Sequence, residues 1–219
     1  MLMKNYKSDF PIFQNRANRG QPLIYLDSAA TAQSPRQVLD AVRAFEENSR
    51  ANVHRGIYAL SEEATAAYEK ARKKVRLFLN AASTAEIIFT KNATEGINLV
   101  ALSLARNFFK EGDHILVSRA EHHSNFLPWQ MLRDEKGIIL DIVDVDESGK
   151  ISLEKLAEAI RPVRVASSNG ASPKTKLAAF SHISHVLGTI NPVREMARLF
   201  RERGVLFLVD AAQSAAHLP

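Results

Sequence analysis

The sequence predicts an α/β protein built on a mostly parallel sheet with helices on both faces, three layers in all. Three observations predict it. Short apolar runs alternate with helical stripes, the runs are continuously apolar, and turn signals fall between the elements. A continuous apolar run offers no face to water, so its strand has to be covered on both sides.

The elements follow in order. Ser34 and Pro35 open a first helix, with Ser at the N-cap, Pro at the first helical position and Gln37 placed to reach back. Val38, Leu39, Val42 and Phe45 then recur on one face. A second helix is predicted from near Ser61, whose hydroxyl caps it while Glu62 and Glu63 complement the positive end of the dipole. Its buried stripe is Ala64, Ala67, Tyr68, Ala71, Val75 and Phe78. Strand candidates are Glu86 to Thr90 (EIIFT), His114 to Ser118 (HILVS), Ile138 to Val143 (IILDIV), Leu177 to Ile183 (LAAFSHI) and Val205 to Val209 (VLFLV). Between them run three helical stripes: Ile97, Val100, Ala101, Leu104 and Phe108; Leu153, Leu156, Ala157 and Ile160; Val193, Met196, Ala197 and Phe200. Glu111-Gly112-Asp113, Glu147-Ser148-Gly149 and Arg203-Gly204 supply the turns. The polar, Ser-rich segment Arg161 to Lys176, with Asn169-Gly170, reads as a flexible surface excursion. There is no internal repeat, and no linker long enough to separate two independent domains.

Composition bounds the function. The 219 residues are 46% hydrophobic and 24% charged, with 9 Gly, 8 Pro and no Cys, which excludes collagen-like, disulfide-stapled and disordered classes. Zero cysteine also removes any thiolate metal site or cysteine nucleophile. Met1 to Pro11 lacks the continuous apolar stretch of a signal peptide or membrane helix, so a soluble, cytoplasmic protein without a membrane partner is expected. The net charge of +5 is spread over amphipathic segments such as Lys70, Arg72, Lys73, Lys74 and Arg76, which argues against nucleic acid. An anionic ligand or an acidic protein partner stays open.

Ligands of open parallel sheets bind beyond the carboxyl ends of the strands, and four such positions are unusual. After EIIFT, Lys91-Asn92-Ala93-Thr94-Glu95-Gly96 runs straight into a helix start, so Thr94 either completes an anion cradle or is a plain N-cap. After HILVS, Glu121-His122-His123-Ser124-Asn125 offers a flat imidazole for an aromatic ligand or two solvated histidines. Adjacent side chains diverge and no HExxH accompanies them, so a metal site is disfavoured. After LAAFSHI comes Ser184-His185-Val186-Leu187-Gly188, a fixed turn of ambiguous content. After VLFLV stands Asp210, an acid costly to leave unpaired, whose partner is either a charged ring nitrogen or a buried Arg or helix N-terminus. Phosphate cradle, stacking ring and acid together suit pyridoxal 5′-phosphate, whose phosphate needs an anchor and whose ring nitrogen needs a carboxylate.

Five segments carry a resemblance. Tyr25-Leu26-Asp27-Ser28-Ala29-Ala30, Asn52-Val53-His54-Arg55-Gly56-Ile57, Asn92-Ala93-Thr94-Glu95-Gly96-Ile97-Asn98, Glu121-His122-His123-Ser124-Asn125 and Val209-Asp210-Ala211-Ala212-Gln213 occur in the order and spacing of the class V aminotransferase superfamily. The sequence most resembles the SUF-type (group II) cysteine desulfurases, also called selenocysteine lyases, from about residue 23 onward. The resemblance implies the large domain of a PLP-dependent transferase of the aspartate aminotransferase type. Residues 1–33 would form an N-terminal arm and 34–219 a partial cofactor-binding large domain, incomplete at the C-terminus and without the small domain.

It also implies roles. Thr94 and the backbone around Ala93 would bind the phosphate, His123 would stack on the ring, Asp210 would pair with its nitrogen, and Gln213 would bond the phenolic oxygen. Ala29 and Ala30 would line the substrate pocket, with the His54-Arg55-Gly56 loop at the interface of a homodimer. The substrate would be L-cysteine or L-selenocysteine, with sulfur passing as a persulfide to an acceptor protein for iron–sulfur cluster assembly.

The sequence departs from that pattern twice. His185 stands where the family usually has an Asn close to the phenolic oxygen. The Schiff-base lysine of a Ser-Gly-His-Lys motif, the persulfide cysteine and the carboxylate-gripping arginine are expected beyond Pro219. Lys91, Lys174 and Lys176 do not replace the lysine. The expectation is therefore an amino-terminal part that is inactive alone and prone to aggregate at an uncovered sheet edge. The alternatives are a non-catalytic cofactor-binding or assembly module, or another class V lyase or transferase.

Overall fold

In the computed structural model, which describes residues 6–15, 17–18, 20–160 and 175–218, the chain divides into two compact units, Met1–Ile88 and Phe89–Pro219. Of the excursion expected at 161–176, residues 161–174 lie outside the described residues, and the last two, Thr175 and Lys176, begin a strand.

The first unit holds a short helix α1 (Ile12–Asn15), a two-stranded antiparallel ribbon of β1 (Ala17–Asn18) and β2 (Gln21–Pro22), and two longer helices, α2 (Arg36–Asn48) and α3 (Ala59–Phe78). Both long helices start earlier or later than their sequence signals. Pro35 rather than Ser34 is the N-cap of α2, and Tyr58 that of α3. Ser61 therefore does not cap. Its hydroxyl donates to the Asn52 carbonyl at 2.5 Å, pinning the preceding loop onto the helix. Gly56 in that loop has no room for a side chain, because a Cβ would sit 2.3 Å from the Ser61 Oγ. The expected buried stripes are open: α2 buries nothing, with Val42 59% exposed, and of the stripe on α3 only Ala64 is buried, with Phe78 69% exposed. An apolar period marks a face that favours cover without saying what covers it.

The expected strand at Glu86–Thr90 is not formed. Ser83 caps a 3₁₀ turn, Thr84–Glu86, and Ile87 is extended but pairs with no strand among the described residues. Its carbonyl accepts instead from the Arg72 guanidinium, while Ile88 is 69% exposed. A strand needs a neighbour's ladder as well as β-branched residues.

The second unit is a parallel four-stranded sheet in the order β4-β3-β5-β6, where β3 is His114–Ser118, β4 Ile139–Val143, β5 Thr175–Ser181 and β6 Leu206–Asp210. Successive side chains point to opposite faces. Ile115, Val117, Leu177 and Ala179 face α4 (Ala93–Asn107) and α5 (Leu127–Lys136), joining Ile97, Ala101, Trp129 and Leu132 in one core. Leu116, Ala178 and Phe180 face α6 (Leu153–Ala159) and α7 (Val193–Glu202), joining Leu156, Met196 and Phe200 in the other. Phe180 and Phe200 stack there with ring centroids 5.9 Å apart. Helix, sheet, helix is the three-layer arrangement the continuous apolar runs require. α5 has its start in Pro128 and its stop in Gly137, at a left-handed φ of 66°. No helix of the described residues is long and apolar enough to cross a membrane.

Candidate functional site

Strand order and chain order together locate a crevice. The chain leaves β3 through α5 on one face to reach β4, and leaves β5 through α7 on the other face to reach β6. Because β3 and β5 are neighbours, their exit loops diverge and open a gap at the carboxyl edge between them. A hollow of about 470 Å³ lies there, lined by Arg119, Ala120, His123, Ser184, His185 and Val186 among others. A second hollow, about 260 Å³, is lined by Ala93, Gly96, Ile97, Leu208, Asp210 and Ala211 among others, at the ends of α4 and β6.

Asn92, not Thr94, is the N-cap of α4: its side chain accepts from the Glu95 amide at 2.9 Å. Thr94 is thereby released for other contacts. Its hydroxyl lies 2.7 Å from the Ser124 hydroxyl. The Ser124 hydroxyl in turn lies 2.9 Å from His122 Nδ1, which also accepts from the Ser124 amide at 3.1 Å. When the His122 ring is neutral, accepting that amide makes Nδ1 the bare nitrogen, and the hydroxyls then donate in sequence from Thr94 to Ser124 to His122. The amides of Ala93 and Thr94, in the first turn of α4, have no partner among the described residues. They point a positive helix end at the rim.

The histidines converge. His122 meets His185 edge to face with centroids 4.7 Å apart, and His123 lies 6.2 Å from His122. His185 is held below the ordinary histidine range by desolvation first, then by the neighbouring charges of His122 and His123, with Asp210 opposing them. Asp210 is thus close enough for its charge to be felt at His185. It is half-buried, makes no ion pair among the described residues, and accepts from the Ala212 amide at 3.0 Å. Of the two alternative partners, no Arg pairs with it among the described residues, whereas the N-terminus of α4 is near, since Ala93 and Gly96 line the same hollow as Asp210. Gln213 is half-buried in the turn after β6.

Ala93, Thr94, His123, His185 and Asp210 therefore share one rim. The other named residues, Gln213 apart, lie in the first unit. Ala29 and Ala30 sit in an exposed turn closed by the Ala30 amide on the Asp27 carbonyl at 3.2 Å. His54 is held at a left-handed φ of 71° by its amide on Thr65 Oγ1 and its ring on Glu69, 2.8 Å away, and Arg55 beside it is exposed. His122 and Ser124, which the sequence offered only as parts of the His122-His123-Ser124 motif and without roles of their own, join the rim. Two hydroxylated residues thirty apart, Thr94 and Ser124, carry no local signal of meeting. Among the described residues no group of three or more His, Cys, Asp or Glu is arranged to hold a metal ion.

Comparison with known proteins accords with this architecture. A family profile for aminotransferase class-V matches residues 24–219. A probable cysteine desulfurase from Synechocystis sp. is 46% identical over 218 residues, covering 100% of this chain and 49% of the relative. A cysteine desulfurase from Salmonella newport is 44% identical over 215 residues, 98% of this chain and 50% of its own length. Among solved structures, the apo cysteine desulfurase of Thermococcus onnurineus NA1 superposes with a TM-score of 0.86 at 37% identity, covering 100% of this chain and 49% of that one. A cysteine desulfurase of Escherichia coli in its S-sulfonic acid form gives 0.80 at 34% identity, covering 98% and 49%. The chain spans about half the length of the curated relatives it matches. Proteins of this family depend on pyridoxal 5′-phosphate. With its profile matched over most of the sequence and its parallel sheet shared with those structures, the chain belongs to the class V aminotransferase family.

Proposed function

We propose that this rim grips pyridoxal 5′-phosphate and that the chain supplies the cofactor-holding part of a cysteine desulfurase-like enzyme. The observation that carries the reading is the bonded line from Thr94 through Ser124 to His122, edge-on to His185, with Asp210 in electrostatic reach. The residues fit the group. Two unpartnered amides and a hydroxyl at the positive end of α4 suit a phosphate. An exposed imidazole flanks a hollow of about 470 Å³, and a carboxylate without a cation stands at the rim.

When bound, the cofactor supplies an electron sink for the substrate carbon beside the carboxylate. The chain's own residues have simpler tasks. Ala93 and Thr94 amides, with the Thr94 hydroxyl, take the phosphate oxygens. His123 covers one face of the ring and shields it from water. Asp210 keeps a proton on the ring nitrogen, and His185 and Gln213 donate to the phenolic oxygen.

The finer reading is L-cysteine to L-alanine, sulfur passing as a persulfide to an acceptor protein for iron–sulfur cluster assembly, in a cytoplasmic homodimer. Residues 34–219 would then be the cofactor-binding part of the large domain. Sulfur transfer breaks the substrate C–S bond and forms an S–S bond on a cysteine thiolate. These 219 residues hold no cysteine, so alone they release no sulfide from L-cysteine. Among the described residues, none that lines the two rim hollows is a lysine, which favours a non-catalytic binding module as the second reading.

Titration of the purified chain with pyridoxal 5′-phosphate, followed by absorbance, tests the proposal. Saturable binding that weakens in Asp210→Ala is expected, and equal binding of phosphate-free pyridoxal would overturn it. Borohydride reduction separates the second reading: a stable adduct on one lysine contradicts a module without covalent chemistry.

A further inference from the structure

Glu121 has a place in the rim that the cofactor contacts do not explain. The residue is 8% exposed, yet it joins no ion pair among the described residues. Three donors meet it instead. The Ser118 hydroxyl donates to Oε1 at 2.5 Å, and the Asn125 side-chain amide and the Ser181 backbone amide both donate to Oε2 at 2.8 Å. Each comes from a different part of the crevice. Ser118 ends β3, Asn125 ends the turn bearing His123 and Ser124, and Ser181 ends β5, sixty residues along the chain.

The bonds continue into the second exit loop. The Ser181 carbonyl accepts from Asn191 Nδ2 at 2.8 Å, and the Asn191 amide donates to the His182 carbonyl at 2.8 Å. These close the base of the loop that carries His185. On the other side Asn125 is fully buried and accepts from the Trp129 indole at 3.4 Å, which anchors the turn to the core. A buried carboxylate without a cation is costly to keep, and packing alone would favour an apolar side chain. What a carboxylate offers is two acceptor-only oxygens that take donors from several elements at once.

We propose that Glu121 is a positioning residue for the candidate site, holding the His123 turn and the His185 loop at a fixed separation across the β3–β5 crevice. The proposal rests on the reading that this rim binds pyridoxal 5′-phosphate. Burial raises the Glu121 carboxyl above the usual range while its three donors pull against that, so the bonds work against desolvation of the charge. Glutamine keeps the size and one acceptor oxygen for Asn125 and Ser181, and its amide can face a Ser118 hydroxyl turned to accept. Alanine leaves all three donors empty.

The test uses the 219-residue chain with two readouts: affinity for pyridoxal 5′-phosphate, and the imidazole C–H resonances of His123 and His185 without cofactor. In Glu121→Ala, binding about tenfold weaker and displaced resonances for both histidines are expected. Glu121→Gln restores both readouts, with affinity within about twofold of the parent. A Glu121→Ala chain that melts lower but binds as the parent does, with both imidazoles unmoved, overturns the proposal, since that is what a merely structural residue would give. If Glu121→Ala does not fold, Ser118→Ala decides. Moved resonances with weakened binding support the role, and parental behaviour overturns it. A parent chain that binds no pyridoxal 5′-phosphate overturns the cofactor reading, and this proposal with it.

Discussion

Replacing Thr94 by valine removes one oxygen and keeps the β-branched shape in the first turn of α4. In the free chain the loss is a neutral hydrogen bond to Ser124, 2.7 Å long and exposed. Such a bond contributes about 0.5–1.5 kcal/mol at most, so the fold is expected to be nearly unaffected. With a phosphate seated on the helix end, the same hydroxyl donates to a charged oxygen, a bond worth about 1.5–3 kcal/mol. The difference, discounted for solvent access to the rim, is about 1–2 kcal/mol, or roughly 5- to 30-fold in affinity. The assay is a pair of titrations, parent and Thr94→Val, with pyridoxal 5′-phosphate and with pyridoxal. The variant should lose affinity for the first and not for the second. Equal losses for both ligands would refute the reasoning, because the hydroxyl would then be acting on the ring or on the fold rather than on the phosphate.

Three further outcomes are expected. Glu121 carries a folded-state pKa above its unfolded one, so its stabilising contribution is complete below the ordinary carboxylate range and is lost as pH rises through the raised value. Urea unfolding followed by Trp129, the only tryptophan, should show Glu121→Gln gaining on the parent as pH rises through that window; a gap that widens toward acid would contradict this. Phe200→Ala empties the stacked pair with Phe180 beneath β5 and is expected to cost about 3–5 kcal/mol, read as a lowered melting temperature of the second unit. A loss under about 1 kcal/mol would mean that core is not packed as described. By NMR titration His185 should lose its proton at a pH below that of an unfolded-chain histidine, and His122→Ala should move the midpoint upward by removing a like charge; an unchanged or lower midpoint in that variant would show that His122 is not a neighbour in solution.

Several parts of the site were readable from local chemistry alone. Asp210 stands out because an acid ends an apolar run, and it does end β6. The turn after Lys91 was readable as a helix start, although which residue caps it was not. Asn92 and Thr94 are both good N-caps, and the choice falls to Asn92 while Thr94 bonds a residue from another element. α5 was missed although Pro128 and Gly137 mark its two ends, because its buried residues, Pro128, Trp129 and Leu132, are too few for a clear stripe.

The amino-acid order alone specified the parallel three-layer unit, because continuous apolar runs, helical periods and turn residues are properties of neighbouring positions, and physics acts on them locally. It also determined the class of the chain, through five short motifs in a fixed order. Only packing in three dimensions established that β3 and β5 are neighbours with exits to opposite faces, which is what makes a crevice and puts His123 and His185 on the lining of one hollow. It alone left Glu86 to Thr90 with no ladder among the described residues and brought Glu121 to Ser181. Pairing, burial and bonds across sixty residues depend on loop closures whose outcome is settled by the whole packed sheet, and no window of sequence contains them.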